Sequence, residues 1–221
     1  MTGSIQIRSA GPDDADALSW TIAESFHALA PSVWLIPDEA ARREIFPGYF
    51  HLLVDGALAR GRVDMTIDRT AAALWFPIGP DPGPAPDDYD AQLETLTGRW
   101  VDRFRLFDTT LSKHHPVGIR HDHLAILAVH PDHQHQGLGT ALLISHHARL
   151  DHADPPTAAY LEASDTTTRD LYLRHGYTLM PDGPILLPDG HAMWPMWRQP
   201  LSFASQSPDS SIAAAPRPPL R

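Results

Sequence analysis

The chain contains no cysteine. That excludes disulfides, thiolate zinc sites, iron–sulfur clusters and a cysteine nucleophile together. Lysine is nearly absent as well: of the 17 basic side chains only Lys113 is a lysine. No apolar run reaches the roughly 18 residues that a membrane span needs. The first residues, Met1-Thr2-Gly3-Ser4-Ile5-Gln6, lack the basic-then-apolar pattern of a signal peptide. These absences predict a soluble, cytoplasmic protein without a membrane partner. Three motifs are also missing: the Gly-Lys-Ser/Thr of nucleotide hydrolases, the Gly-x-Ser-x-Gly elbow and the His-Glu-x-x-His helix.

What is present is 221 residues, enough for one domain that buries roughly 70% of its unfolded surface without staples. Acidic residues number 27 against 17 basic, a net charge of −10. That balance argues against nucleic acid as a partner and suits a cationic substrate. The segment 201–221 is rich in Pro, Ser and Ala and reads as a disordered tail, leaving 1–200 as the domain. A second Pro/Gly-rich stretch, Pro77 to Asp88, reads as a surface loop.

Ser4 to Arg8 reads as a strand, followed by a helix with Ala17, Leu18, Ile22, Phe26 and Leu29 on one face. Pro31 and Pro37 interrupt the chain, and Asp38 to Ala59 holds one or two helices around Pro47-Gly48. Val63–Ile67 and Ala71–Phe76 read as a hairpin, and 88–111 as amphipathic helix. His121–Val129 is a strand, Gly137–Leu150 a helix with His146 and His147 on its solvent face, and 157–163 a strand. A helix over 167–175 and a strand over 192–197 follow. This order predicts an α/β or α+β fold with parallel pairing in the C-terminal half.

Between the strand and the helix stands Gln134-His135-Gln136-Gly137-Leu138-Gly139-Thr140. Glycines there let backbone N–H groups approach an anion closely, and the helix N-terminus adds partial positive charge. The third glycine of a dinucleotide fingerprint is missing, because position 142 is leucine. Leu127 to Leu143, with this loop at its centre, resembles the acetyl-CoA motif Gln/Arg-x-x-Gly-x-Gly/Ala of the GNAT N-acetyltransferase superfamily. Leu161-Glu162-Ala163-Ser164 followed by Leu171-Tyr172 to Gly176-Tyr177 resembles the family's second cofactor motif, in the family's order. The resemblance covers 121–180, is looser over 1–76, and in whole-chain layout is most similar to the puromycin-type antibiotic acetyltransferases.

The resemblance implies a mostly antiparallel mixed sheet, flanked by helices and splayed between its fourth and fifth strands by a bulge near Leu127–Val129. It implies acetyl-CoA as cosubstrate, bound by Leu127, Ala128, Val129, Gln134, His135, Gln136, Gly137, Leu138, Gly139, Thr140, Thr168 and Tyr172. The Val129 N–H would face the thioester carbonyl, and Tyr172 would protonate the departing thiolate. Thr168 departs from the family's asparagine, which leaves it either to bond the pantetheine arm or to cap its helix.

An amine acceptor must lose a proton before attack, so a base is expected. His123 is the first candidate, His121 the second, and Glu162 the alternative. His130, His133 and His135 read as exposed loop histidines, and no metal is expected. Acceptor contacts are assigned to Phe26, Trp34, Trp75 and His121, within an aromatic set that includes Trp20, Tyr49, Phe50 and Phe76. The acidic pairs Asp38-Glu39 and Asp87-Asp88 could attract a cation. The function implied is transfer of an acetyl group to a primary amine of a small molecule, by a monomer or homodimer. A protein lysine or N-terminus as acceptor, and a non-catalytic acyl-CoA sensor, are the two rival readings.

Overall fold

The computed structural model describes residues 5–81 and 88–201. The expected tail from 202 onward, the start of the first strand at Ser4, and Asp87 with most of the Pro/Gly-rich loop lie outside the described residues. The elements are β1 (Ile7–Ser9), α1 (Ala15–Phe26), α2 (Ala30–Leu35), α3 (Glu39–Arg60), β2 (Arg62–Thr66), β3 (Ala71–Ile78), α4 (Tyr89–Thr97) and α5 (Val101–Ser112). There follow β4 (His121–Val129), α6 (Leu138–Asp151), β5 (Ala158–Ala163), α7 (Thr166–Arg174), β6 (Thr178–Leu179), β7 (Ile185–Leu186) and β8 (Ala192–Arg198). The strands form one sheet in the order β1-β2-β3-β4-β5-β8-β6, with β7 paired to β8. All pairings are antiparallel except β4 with β5.

Alternation along β3 divides the core. Ala72 and Leu74 face α1, α3 and α5, while Ala71, Ala73 and Trp75 face α6 and α7. The first face carries an aromatic cluster from α3 and α5, in which Phe50 meets Phe46 at 5.3 Å and Tyr49 meets Phe104 at 4.8 Å between ring centroids. Each such buried ring contributes on the order of 2–3 kcal/mol relative to exposure. That packing decides between the one helix and the two that the sequence allows over 38–59. α3 runs unbroken through Pro47, although proline removes a hydrogen-bond donor and crowds the preceding turn. Phe46, Tyr49 and Phe50 on either side are buried in the cluster and hold the helix together.

One departure from the sequence reading concerns α6. His146 and His147, expected in solvent, are buried. His146 stacks on Trp75 with ring centroids 3.9 Å apart, and its two nitrogens lie 3.1 Å from Asp64 and 3.0 Å from Asp122. His147 Nε2 meets the Tyr177 hydroxyl at 3.0 Å. A second departure is smaller: Pro77 and Ile78, expected in the loop, continue β3 against Asp122 and His121.

Candidate active site

β4 and β5 pair only over His121–Ala158, Asp122–Ala159 and His123–Tyr160, and beyond His123 they separate. The register of β4 on β3 shifts at the same place: Leu74 faces Ile126 while Trp75 faces Leu124, which leaves Ala125 as the extra residue. The bulge therefore lies two residues before the expected Leu127–Val129. An extra residue reverses the alternation, so Leu124 and Leu127 both pack with the α6 side. His130 N–H bonds Thr70 O at 2.8 Å, and counting back by two turns the N–H groups of Ala128 and Ile126 towards β3. Those of Val129 and Leu127 therefore face the edge that β5 leaves bare. Ser25 on α1 takes the Val129 N–H through its Oγ at 3.3 Å, so this group is not free for a thioester carbonyl, contrary to expectation. Leu127 N–H is the open one.

At the far end of β4 the chain turns through His135 and Gly137, both left-handed, with φ of 62° and 83°. Gly137 starts α6, and no side chain caps it. The N–H groups of Leu138, Gly139 and Thr140 thus lack intrahelical acceptors and line a concave anion site with the helix dipole behind them. Gln134 Nε2 donates to Val129 O at 3.3 Å and ties the loop to the strand end.

A single cavity of about 730 Å³ joins this loop to the splay and continues under α1, α2, α3 and α5. Of the residues assigned to the cosubstrate, Leu127, Val129, Gln134, His135, Gly137, Leu138, Gly139, Thr140, Thr168 and Tyr172 line it. Ala128 does not; its side chain packs among the helices on the other face of the strand. Gln136 does not either, and its amide contacts Asp132 O instead. Thr168 lines the cavity while its hydroxyl caps α7: Asp165 Oδ1 accepts from Thr168 N–H at 2.7 Å, and Thr168 Oγ1 accepts from Asp165 N–H at 3.2 Å. Tyr172 is buried on α7, and burial together with the Asp165 charge raises its pKa. The phenol is therefore protonated at neutral pH.

His123 and Glu162 also line the cavity, and His123 Nε2 lies 3.0 Å from Glu162 Oε2. Burial pushes the Glu162 carboxyl up, but the charge and hydrogen bond of His123 outweigh it and hold the group below its ordinary value. Oε1 of Glu162 is buried without a hydrogen-bond partner. His115, from the loop before β4, packs on His123 with ring centroids 4.8 Å apart, and burial lowers its pKa to about 4. His115, His123 and Glu162 bring one donor atom each within 4.8 Å of one another, a two-imidazole, one-carboxylate grouping able to hold a metal ion. The expectation of no metal did not weigh this grouping.

Among the expected acceptor residues only Phe26 lines the cavity. Trp75 is fully buried against His146. Trp34 packs on Phe107 from outside it. His121 is fully buried, bonded to Ile119 O at 2.8 Å and to His115 at 3.0 Å. Trp20 is exposed on α1, whereas Tyr49 and Phe50 do line the cavity. Asp38 caps α3 by accepting from Ala40 and Ala41 N–H, and so serves its helix.

Several lining residues escaped the sequence reading, among them Ser25, Tyr89, Asp108 and Arg174. Asp108 had a signal. It falls four residues after Phe104 and three before Leu111, a carboxylate on the apolar face of an amphipathic helix. Burial raises its pKa to about 6, offset in part by a hydrogen bond from Tyr89.

A sheet opened at a parallel pair, with an anion-binding turn at the mouth, defines the class of the protein. Residues 108–179 match the acetyltransferase (GNAT) domain family; the chain is an acyltransferase, and acetyl-CoA is the cosubstrate that such a domain uses. The chain is similar in structure to a Corynebacterium glutamicum protein described as histone acetyltransferase HPA2 and related acetyltransferase. That likeness has 25% identity and a TM-score of 0.67, over 91% of this chain and 99% of the other. Arylalkylamine N-acetyltransferase 2 of Aedes aegypti shares the fold at 14% identity and a TM-score of 0.57, over 88% of this chain and 98% of that one. An agmatine N-acetyltransferase shares it at 15% identity and a TM-score of 0.55, again over 88% and 98%.

Proposed function

We propose that this chain transfers the acetyl group of acetyl-CoA to the primary amine of a small molecule by direct attack, without an acyl-enzyme. The observation that carries this reading is the single cavity. It joins the turn at 135–140 to the His123–Glu162 pair and to an aromatic-walled region. A long open groove for a peptide would favour a protein acceptor; a concave site with walls built from Phe26, Phe46 and Phe50 favours a small one.

Backbone N–H groups from His135 to Thr140 hold the pyrophosphate, and Arg174 stands beside them. The bare edge at Leu127 pairs with the pantetheine arm, and its N–H stabilises the oxyanion as the amine nitrogen bonds to the carbonyl carbon. Glu162 keeps the His123 proton on Nε2, which leaves Nδ1 as the basic nitrogen that takes the proton from the amine. As the C–S bond breaks, Tyr172 gives its proton to the thiolate. The puromycin-like layout extends the proposal to an antibiotic or other amine-bearing metabolite as acceptor. A cytoplasmic setting, a monomer or homodimer, and a domain spanning 1–200 complete it.

The test is thiol release from acetyl-CoA across aminonucleosides, aminoglycosides, arylalkylamines and a lysine peptide, with CoA binding followed by calorimetry. Release with one amine class, lost in Tyr172→Phe while CoA binding persists, is the expected result. Tight CoA binding with no release from any amine would favour the sensor instead.

A further inference from the structure

Most buried and half-buried carboxylates of this protein have cationic or imidazole partners; Asp165, which caps α7 through Thr168, and Asp108 do not. Asp14 meets Arg8 and Arg69, Asp64 meets Arg62 and His146, Asp151 meets Arg198, and Glu162 meets His123. Asp108 has none among the described residues. Its Oδ2 accepts the Tyr89 hydroxyl at 3.0 Å, and Oδ1 makes no hydrogen bond there. Asp108 nevertheless lines the cavity, on the α5 wall, while His123 and Glu162 line it from the sheet. Phe107, Leu111 and Tyr49, which carry no positive charge, line the same cavity.

An ionised carboxylate in apolar surroundings is costly unless a cation joins it. Nothing in the described fold supplies that cation, and the cavity gives a ligand access to it. Resting on the acetyltransferase reading above, we propose that the acceptor is a dibasic amine. One amino group is acetylated beside His123 and Glu162, and a second cationic group, ammonium or guanidinium, is held by Asp108 and Tyr89. The apolar walls between the two ends fit a hydrocarbon spacer. A monobasic amine of the same length would bury its apolar end against an unpaired carboxylate, and the site would discriminate against it.

The experiment compares thiol release with α,ω-diamines of three to eight carbons against the n-alkylamines of the same length, using the full chain and acetyl-CoA. The expected result is that at the preferred length kcat/KM for the diamine exceeds that for the monoamine at least tenfold. That margin is well above the twofold advantage of having two equivalent amines. In Asp108→Asn the ratio falls tenfold or more towards unity, mainly through the KM of the diamine, while Tyr89→Phe, which keeps the carboxylate, retains most of the preference. A wild-type ratio near two at every length, or an unchanged ratio in Asp108→Asn, overturns the proposal. The wild-type comparison alone decides it should the variant fail to fold. Transfer to neither series while arylalkylamines or aminonucleosides are acetylated overturns the dibasic acceptor and leaves the transferase intact. Transfer to no amine at all, with CoA bound, overturns both.

Discussion

His123 and Glu162 lie on parallel neighbouring strands and meet at 3.0 Å just where those strands begin to part. The pair closes the last rung before the splay and stands at the wall of the cavity. A histidine oriented by a buried carboxylate is suited to accept a proton from an incoming amine. If the pair acts as a base, His123→Gln should lower kcat by about 10²-fold or more, within the usual range for general-base loss. Glu162→Gln, which keeps a hydrogen-bonding partner, should lower it less. Calorimetric CoA affinity should stay unchanged in both, and unchanged kcat in both would remove the pair from the mechanism.

Gly137 has a φ of 83° and is the first residue of the turn into α6. An added Cβ would meet only Ile5, at 3.9 Å, so space is not the constraint. Conformation is: a side chain in the left-handed region costs about 1–2 kcal/mol. Gly137→Ala should weaken CoA binding roughly tenfold through a displaced turn, with a small loss in Tm. A calorimetric Kd equal to the wild type would show that the turn does not position the phosphates.

His146 holds the two faces of β2 and β4 together through Asp64 and Asp122. Replacing it by alanine leaves those carboxylates facing a cavity beside Trp75, and breaking such a buried network costs about 3–5 kcal/mol. Urea unfolding of His146→Ala should show this as a lowered midpoint with activity per folded molecule kept. A loss under about 1 kcal/mol would mean that solvent replaces the imidazole.

Burial lowers the pKa of His147 from 6.5 to about 3, with Arg198 nearby adding to the effect. The native state therefore binds fewer protons than the unfolded chain between those values. Its contribution to stability is complete above about pH 6.5 and is lost as pH falls towards about 3. From pH 7.5 to pH 5 the loss from this residue is about 2 kcal/mol. His115, lowered to about 4, acts in the same direction. His147→Gln, which can still bond Tyr177, should flatten the fall in urea midpoint over this range, and an equal slope in both proteins would contradict the assignment.

The strand-to-helix segment 121–151 was legible because its signals are local. The β4 run, the turn glycines and the α6 periodicity follow one another along the chain, and their conformations are set by neighbours within a few residues. Tyr172 and Glu162 were legible for the same reason. Pro47 left one helix or two open because proline's local cost is real; burial of Phe46, Tyr49 and Phe50 decides for one. His146 misled because a histidine pair on a helix reads as polar until the carboxylates of two distant strands arrive beside it.

The amino-acid order by itself determined that a glycine turn joins a strand to a helix, that the fold is a mixed sheet, and that no cysteine side chain takes part. Those properties depend on φ preferences, periodicity and composition, which act over short stretches of chain. Only the tertiary structure decided where β4 bulges, that Ser25 takes the Val129 N–H, and that Trp75 and His121 turn away from the cavity. It alone placed Asp108 in the cavity wall with the Tyr89 hydroxyl, and no cation, as its partner. Each of these depends on which face of one element meets which face of another. That is fixed by packing across the sheet between residues tens of positions apart, where no local preference reaches.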